Sequence, residues 1–264
     1  MYSKPKTIMI TGASSGIGEA LALHYAADDI VLCLTGRDPL RLETVAESCR
    51  AKGALVDTWA GDVCNSAGIK SWIADCDQTH TLNLVIANAG VALGSATVEG
   101  LQKAATNSFN INVNGVFNTV HPALEFMSKR RPYPVANAQV ALMSSVMGYA
   151  GMARSPAYSS SKAAIKHYGE ALRGAFRGMG IGVSVICPGY VGTALTAKNS
   201  APMPFLIPAD KAAEIIARGL ARNKARITFP WQMVFITRLL MNLPAFIVDR
   251  INKPWGVVRL EDNP

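Results

Sequence analysis

Thr11-Gly12-Ala13-Ser14-Ser15-Gly16-Ile17-Gly18 follows directly on the apolar run Thr7–Thr11 and leads straight into a helix-forming stretch, Gly18 to Ala27. A buried strand, a tight glycine turn and a helix in that order place backbone N–H groups at a helix N-terminus, where the macrodipole and unpaired donors favour a phosphate. Each glycine has its own task. Gly12 makes the turn, Gly16 removes a Cβ where the backbone must approach a pyrophosphate, and Gly18 allows the helix to lie close to the strand. Ser14, Ser15 and Ile17 fill the rest of the turn and are candidate contacts to the same group.

Outward from this turn, short apolar or β-branched runs recur at Ile30–Thr35, Ala54–Trp59, Leu82–Ala87, Gln139–Ser144, Gly182–Cys187 and Arg226–Phe229. Several are continuously apolar, as strands covered on both faces should be. Helix-length stretches lie between them, among them Pro39–Lys52, Gly115–Lys129, Ser159–Met179 and Ala209–Ala221. The alternation, with right-handed crossovers, predicts an α/β fold: a doubly wound parallel sheet of about seven strands flanked by helices. Residues 1–230 read as one dinucleotide-binding and catalytic domain, and 231–264 as a C-terminal helical extension of it.

Further motifs follow in order. Asp62-Val63 comes after the third predicted strand, Asn88-Ala89-Gly90 stands at the end of the fourth, and Pro188-Gly189, with Val191 and Thr193 after it, follows the sixth. Tyr158 and Lys162 stand four residues apart, a spacing that puts a phenol and an ammonium on one helix face. A nearby cation would stabilise a tyrosinate, whose ordinary pKa near 10 otherwise hinders proton transfer at neutral pH. Ser145 lies thirteen residues upstream at a predicted strand end. Its neighbour Ser144 should point to the opposite face. Asn112, in Asn112-Val113-Asn114-Gly115-Val116-Phe117, completes the set, with Asn114 as competitor.

Taken together, TGxxxGxG, NAG, YxxxK and the upstream serine resemble the short-chain dehydrogenase/reductase family, in its short single-domain branch, over roughly residues 5–230. The resemblance implies a nicotinamide-dependent oxidoreductase, with a catalytic set of Asn112, Ser145, Tyr158 and Lys162. It implies that Tyr158 is the proton donor, that Lys162 also binds the nicotinamide ribose, and that Asn112 holds a water in a proton relay. Asp62 and Val63 would meet the adenine, and Pro188, Gly189, Val191 and Thr193 the nicotinamide. Most of the family are dimers or tetramers, so a homo-oligomer is expected.

The second predicted strand runs into Gly36-Arg37, with no acid where an NAD enzyme places one for the adenosine ribose. Arg37 suits a 2′-phosphate, with Ser14 or Ser15 adding a hydroxyl. Asp38 reads as the cap of the helix that starts at Pro39. NADP(H) is therefore the expected cofactor, with NAD(H) as the alternative.

The 264 residues are half hydrophobic, and 17% are charged, enough for one large core without disulfides or metals. Cys33, Cys49, Cys64, Cys76 and Cys187 are scattered, with no CxxC pair. An odd number without spacing argues against a disulfide framework and for a reducing cytoplasm. The first dozen residues are too polar for a signal peptide. Lys and Arg exceed Asp and Glu by 26 − 18 = 8, a surplus that would draw phosphates, acidic carriers or anionic lipid. The cations are dispersed, without a nucleic-acid-binding motif, so no nucleic acid partner is expected.

Two segments bear on substrate. The resemblance implies that residues 194–207 fold over the substrate; their content, including Ala201, Phe205, Leu206 and Ile207, is apolar and stiffened by prolines, so either the pocket is greasy or the lid packs these side chains on the sheet when closed. After Pro230 the chain continues through Trp231, Met233, Val234, Phe235, Leu239, Phe246 and Ile247. This stretch is too interrupted to span a membrane and suits two short amphipathic helices hinged near Pro244. Flanked by Arg250, Lys253 and Trp255, residues 231–255 serve as a pocket lid, a subunit contact, or a peripheral contact with the inner membrane surface. The expected substrate is a lipophilic ketone or 3-oxoacyl group, the latter because Lys129-Arg130-Arg131 with Arg173 and Arg177 resemble positions where 3-oxoacyl reductases of the family hold an acidic carrier. A non-catalytic NADP(H)-binding sensor or scaffold is the alternative, disfavoured by the intact catalytic set.

Overall fold

The computed structural model describes residues 5–95, 97–135, 137–153, 155–197 and 202–253. Ala201, Trp255 and the extension beyond Lys253 lie outside them. Strands β1 (Thr7–Thr11), β2 (Val31–Gly36), β3 (Leu55–Ala60), β4 (Leu84–Ala87), β5 (Gln139–Met143) and β6 (Gly182–Pro188) form the main sheet together with a last strand, Arg226–Phe229. A two-residue pair, β7 (Val191–Gly192) and β8 (Ile207–Pro208), precedes that strand, which is therefore β9. The order is β3-β2-β1-β4-β5-β6-β9, all parallel. The expected doubly wound sheet is thus present, with strand ends displaced by one or two residues.

Alternation along each strand divides the core. Ile8, Ile10, Leu32, Leu34, Leu84 and Ile86 face helices α1 (Gly16–Tyr25), α2 (Pro39–Arg50) and the later α7 (Ala209–Ala221). Met9, Cys33, Val85, Val140 and Leu142 face the opposite layer. That layer is built by α3 (Ser66–His80), α5 (Gly115–Ser128) and α6 (Pro156–Phe176), with α4 (Val98–Phe109) packed outside α6. Period-two alternation inside a continuously apolar strand is what lets one segment serve two cores. Each fully buried Leu or Ile contributes roughly 2 kcal/mol.

Helix starts follow local chemistry. Asp38 accepts bonds from Leu40 N and Arg41 N, both 3.1 Å, and caps α2 at Pro39 as expected. Asn65 and Thr97 cap α3 and α4 in the same way. Pro156 opens α6 three residues before the expected start, bringing Tyr158 into its first turn.

After β3 the chain returns to the centre as β4, beside β1, and builds outward in the other direction. Neighbouring loops therefore diverge at the carboxyl ends of β1 and β4 and open a crevice between them. Beyond β9, α8 (Trp231–Met241) and α9 (Ala245–Asn252) flank Pro244, the two-helix extension expected there. No described helix is long and apolar enough to cross a membrane.

Candidate active site

The glycine turn closes at this crevice. Gly12 and Gly16 have φ of +66° and +63°, the left-handed region that favours glycine. A Cβ on Gly12 would lie 2.8 Å from Ala89 Cα, and one on Gly18 only 2.2 Å from the Gly12 carbonyl oxygen. Ser15 stands at the N-cap of α1 yet makes no side-chain capping bond. The first-turn N–H groups therefore lack a side-chain partner and face outward from an exposed Ser15, the donor set an anion takes. Ser14 lies against Gly36, and Ile17 packs into the core beneath the turn.

Asn88 does more than line the crevice. Its Nδ2 donates to the carbonyls of Thr11 (2.9 Å) and Gly12 (3.2 Å), while Thr11 Oγ1 accepts from Asn88 N and Ala89 N at 3.0 and 3.1 Å. These four bonds staple the ends of β1 and β4 together. Thr11 was not singled out in the sequence as a site residue, and the only signal for it is its place immediately before Gly12.

At the end of β2, Arg37 is exposed, and no hydrogen bond or ion pair holds it among the described residues. Asp38, spent on capping α2 and pairing with Arg41, is not available as a ribose acceptor. Asp62 Oδ1 accepts from Cys64 N at 2.9 Å. Val63 is buried against Gly115, and its carbonyl accepts from Asn118 Nδ2.

Two of the four expected catalytic residues, Asn112 and Lys162, meet next to Gly90, and Tyr158 and Ser145 adjoin Lys162 and each other. Methyl carbon placed on Gly90 would sit 3.0 Å from Asn112 Oδ1 and 3.2 Å from Lys162 Nζ. Asn112 is wholly buried in a π turn, Asn110–Asn114, a widened turn of the kind that recurs at functional sites. Its amide bonds both backbone groups of Val91 (2.8 and 2.9 Å) and reaches Ser161 Oγ at 3.0 Å. Asn114 bonds Asn110 at the surface and is outside the site. Ser144 turns to the Lys162 carbonyl, and Ser145 to the Pro188 carbonyl and the Tyr158 phenol, the division expected from strand alternation.

A family model described as short chain dehydrogenase matches residues 6–204. The chain belongs to the short-chain dehydrogenase family. An oxidoreductase of Myxococcus xanthus (strain DK1622) is 34% identical over 246 residues, covering 92% of this chain and 95% of the relative. The ketoacyl reductase HetN of Nostoc sp. (strain PCC 7120 / SAG 25.82 / UTEX 2576) is 25% identical over 263 residues, covering 96% and 90%. A solved short-chain dehydrogenase from Sphingobium yanoikuyae, in complex with NADPH, superimposes with a TM-score of 0.75 at 20% identity, covering 90% of this chain and 96% of its own. That last likeness establishes the fold.

In this short-chain dehydrogenase the Lys162 ammonium does not bond the phenol directly. Nζ donates to the Met143 carbonyl at 2.9 Å and lies 5.8 Å from the Tyr158 ring centre. Burial depresses the Lys162 pKa to about 8. Tyr158 is pushed up, chiefly by burial, while its hydrogen bond to Ser145 acts in the other direction. Cys187, on β6 beside both, is itself raised to about 11 by burial and is a neutral thiol at neutral pH.

On the far wall, Gly189 N donates to the Phe229 carbonyl at 2.7 Å, and Thr193 covers the glycine turn, its Cγ2 3.1 Å from where a Cβ on Gly16 would stand. Val191 is buried in β7. Val146 and Tyr190, each next to an expected site residue, pack with Met233 and Val234 of α8. Sequence reasoning had no signal for this contact because the partners are some ninety and forty residues apart. Among the described residues no His/Cys/Asp/Glu group is arranged to hold a metal.

Proposed function

We propose that this chain is an NADP(H)-dependent oxidoreductase passing a hydride between the nicotinamide and the carbonyl or alcohol of a lipophilic ketone or 3-oxoacyl substrate. The observation that carries the reading is the convergence of Tyr158, Ser145, Lys162 and Asn112 beside a glycine cradle that added side chains would fill. The residues fit a dinucleotide. The uncapped N-terminus of α1 suits its pyrophosphate, and Gly12, Gly16 and Gly18 supply the close approach. In this reading Asp62 and Val63 would contact the adenine, and Asn88, Ala89, Gly90, Pro188, Gly189, Val191 and Thr193 would hold the nicotinamide end.

The cofactor supplies the hydride. Tyr158 gives or takes the proton at the substrate oxygen, Ser145 Oγ holds that oxygen as charge develops, and Lys162 provides the nearby positive charge and a donor for the nicotinamide ribose. Asn112 fixes the loop after β4 through Val91 and ties it to α6 through Ser161.

Arg37, exposed and unengaged at the end of β2, supports a preference for the 2′-phosphate of NADP(H), in keeping with the NADPH bound by the Sphingobium neighbour. The ketoacyl name of the Nostoc relative fits the 3-oxoacyl reading. The proposed carrier-binding face has less support. Arg130 is bound to Asp77 and the Leu82 carbonyl, and Arg173 to the Val183 carbonyl and Asn223, so both serve the fold.

Titration with NADPH and NADH, followed by fluorescence, tests the reading together with NADPH oxidation by a panel of lipophilic ketones. NADPH should bind more tightly, and Arg37→Ala should weaken NADPH by about tenfold or more while leaving NADH nearly unchanged. Tyr158→Phe should bind NADPH normally and lose turnover by on the order of a hundredfold or more. Equal affinity for the two nucleotides, or full turnover by Tyr158→Phe, would reject the assignment.

A further inference from the structure

Helix α8 is apolar on two sides. Its inner side, Met233 and Val234, packs on Val146 and Tyr190, the residues that follow Ser145 and Gly189. Its outer side carries Trp231, Phe235 and Leu239, at i, i+4 and i+8 and 73%, 64% and 54% exposed. A helix with apolar residues on two sides normally has both packed against other elements. This one is covered on one side only.

Other exposed apolar groups lie outside α8. Leu195 and Phe205 lie between β7 and β8, and Phe246, 73% exposed, is on α9. No α9 side chain belongs to a buried core cluster among the described residues. An apolar surface of this kind, beside the mouth of a crevice, marks an interaction site.

Charge selects the occupant. Between Trp231 and Lys253 the chain has three basic residues, Arg238, Arg250 and Lys253, against one acid, Asp249, on a molecule with a net charge of +8. A two-fold contact with a second copy would bring the same cations together. An anionic lipid surface neutralises them while its acyl layer takes up the aromatic side chains. Helices of eleven and eight residues are too short to span a bilayer but can lie in its interface.

We propose that α8 and α9 dock this enzyme on an anionic lipid surface, with Trp231, Phe235, Leu239 and Phe246 inserted among the lipid chains. The inner side of α8 then forms the wall between lipid and catalytic crevice, so that a lipophilic substrate enters along α8 without crossing water. The delivery half of this statement rests on the catalytic reading above, and the docking half does not.

Flotation of the full chain with vesicles tests it, using equimolar phosphatidylglycerol and phosphatidylcholine in one series and phosphatidylcholine alone in the other. The protein should float with the anionic vesicles and much less with the neutral ones. Phe235→Ser combined with Leu239→Ser, which leaves Met233 and Val234 in place, should lower partition by about tenfold or more. Arg250→Glu with Lys253→Glu should lower it most at low salt. All forms should bind NADPH alike.

Absence of flotation, or equal flotation by the outer-face variant, overturns docking. So does a wild-type dimer that the outer-face variant dissociates without any vesicle binding, which would make this face a subunit contact. NADPH titration of the same samples separates the two proposals: flotation without nicotinamide binding leaves docking standing and removes the catalytic reading, whereas nicotinamide binding without flotation does the reverse.

Discussion

Lys162 shows how a site residue can oppose stability. The residue is 3% exposed, and burial lowers its pKa from the ordinary 10.5 to about 8. Below pH 8 both folded and unfolded chains carry the proton, and the folded state bears the full desolvation penalty, about 3 kcal/mol. Between pH 8 and 10.5 the unfolded chain binds more protons, so this group's penalty shrinks as pH rises. Lys162→Met should raise the thermal midpoint at pH 7 by roughly 3 °C once loss of the bond to the Met143 carbonyl is counted. The advantage should narrow towards pH 10, and turnover should fall by on the order of a hundredfold or more. Melting curves of both proteins across that range check the sign. A gap that widens with pH would contradict the buried, charged lysine. At this scale the sequence was highly legible. It paired Tyr158 with Lys162 and assigned Ser145 and Ser144 to opposite sides, but it had no means of finding that Lys162 bonds Met143.

Between elements, one ionic cluster joins the catalytic helix to the last strand. Glu170 on α6 lies 3.4 Å from Lys166 Nζ and 2.8 Å from an Arg226 nitrogen on β9, and Lys166 is almost fully buried, 4.9 Å from the Tyr149 ring centre. Removing the carboxylate leaves a buried ammonium without its counter-ion. The Arg226 arm is about a third exposed and contributes less. Glu170→Gln should therefore cost about 2 kcal/mol, or roughly 4 °C in midpoint, and Lys166→Met in the same chain should restore most of it. Additive losses in the double variant would show that the two side chains do not act as a pair. Helices α3 and α4 mark the limit of pattern reading at this scale. Buried positions in α3 are Ile69, Ile73 and Cys76, and in α4 Ala104 and Ser108, too few apolar residues to stand out from the polar ones around them.

Over the whole molecule, the crevice draws on both halves of the sheet, so ligand binding should stabilise the fold as a unit. NADPH at a hundredfold its Kd should add about 2.7 kcal/mol, a rise of roughly 5 °C for a chain of this size. NADH at the same concentration should add less, a comparison read directly by thermal shift. A larger rise with NADH would reverse the assignment of Arg37.

Continuous apolar runs between helical stretches determined the parallel sheet, because a strand buried on both faces leaves that pattern in the chain. The glycine turn determined how closely α1 follows β1, because a positive φ favours glycine at Gly12 and a Cβ at Gly18 would collide with the Gly12 carbonyl oxygen. Tertiary structure alone decided the rest: what Lys162 bonds, and that α8 rests on Val146 and Tyr190 with its other apolar side exposed. Those contacts join residues far apart in the chain, where packing geometry and the competition for buried hydrogen bonds, not local pattern, determine the neighbour.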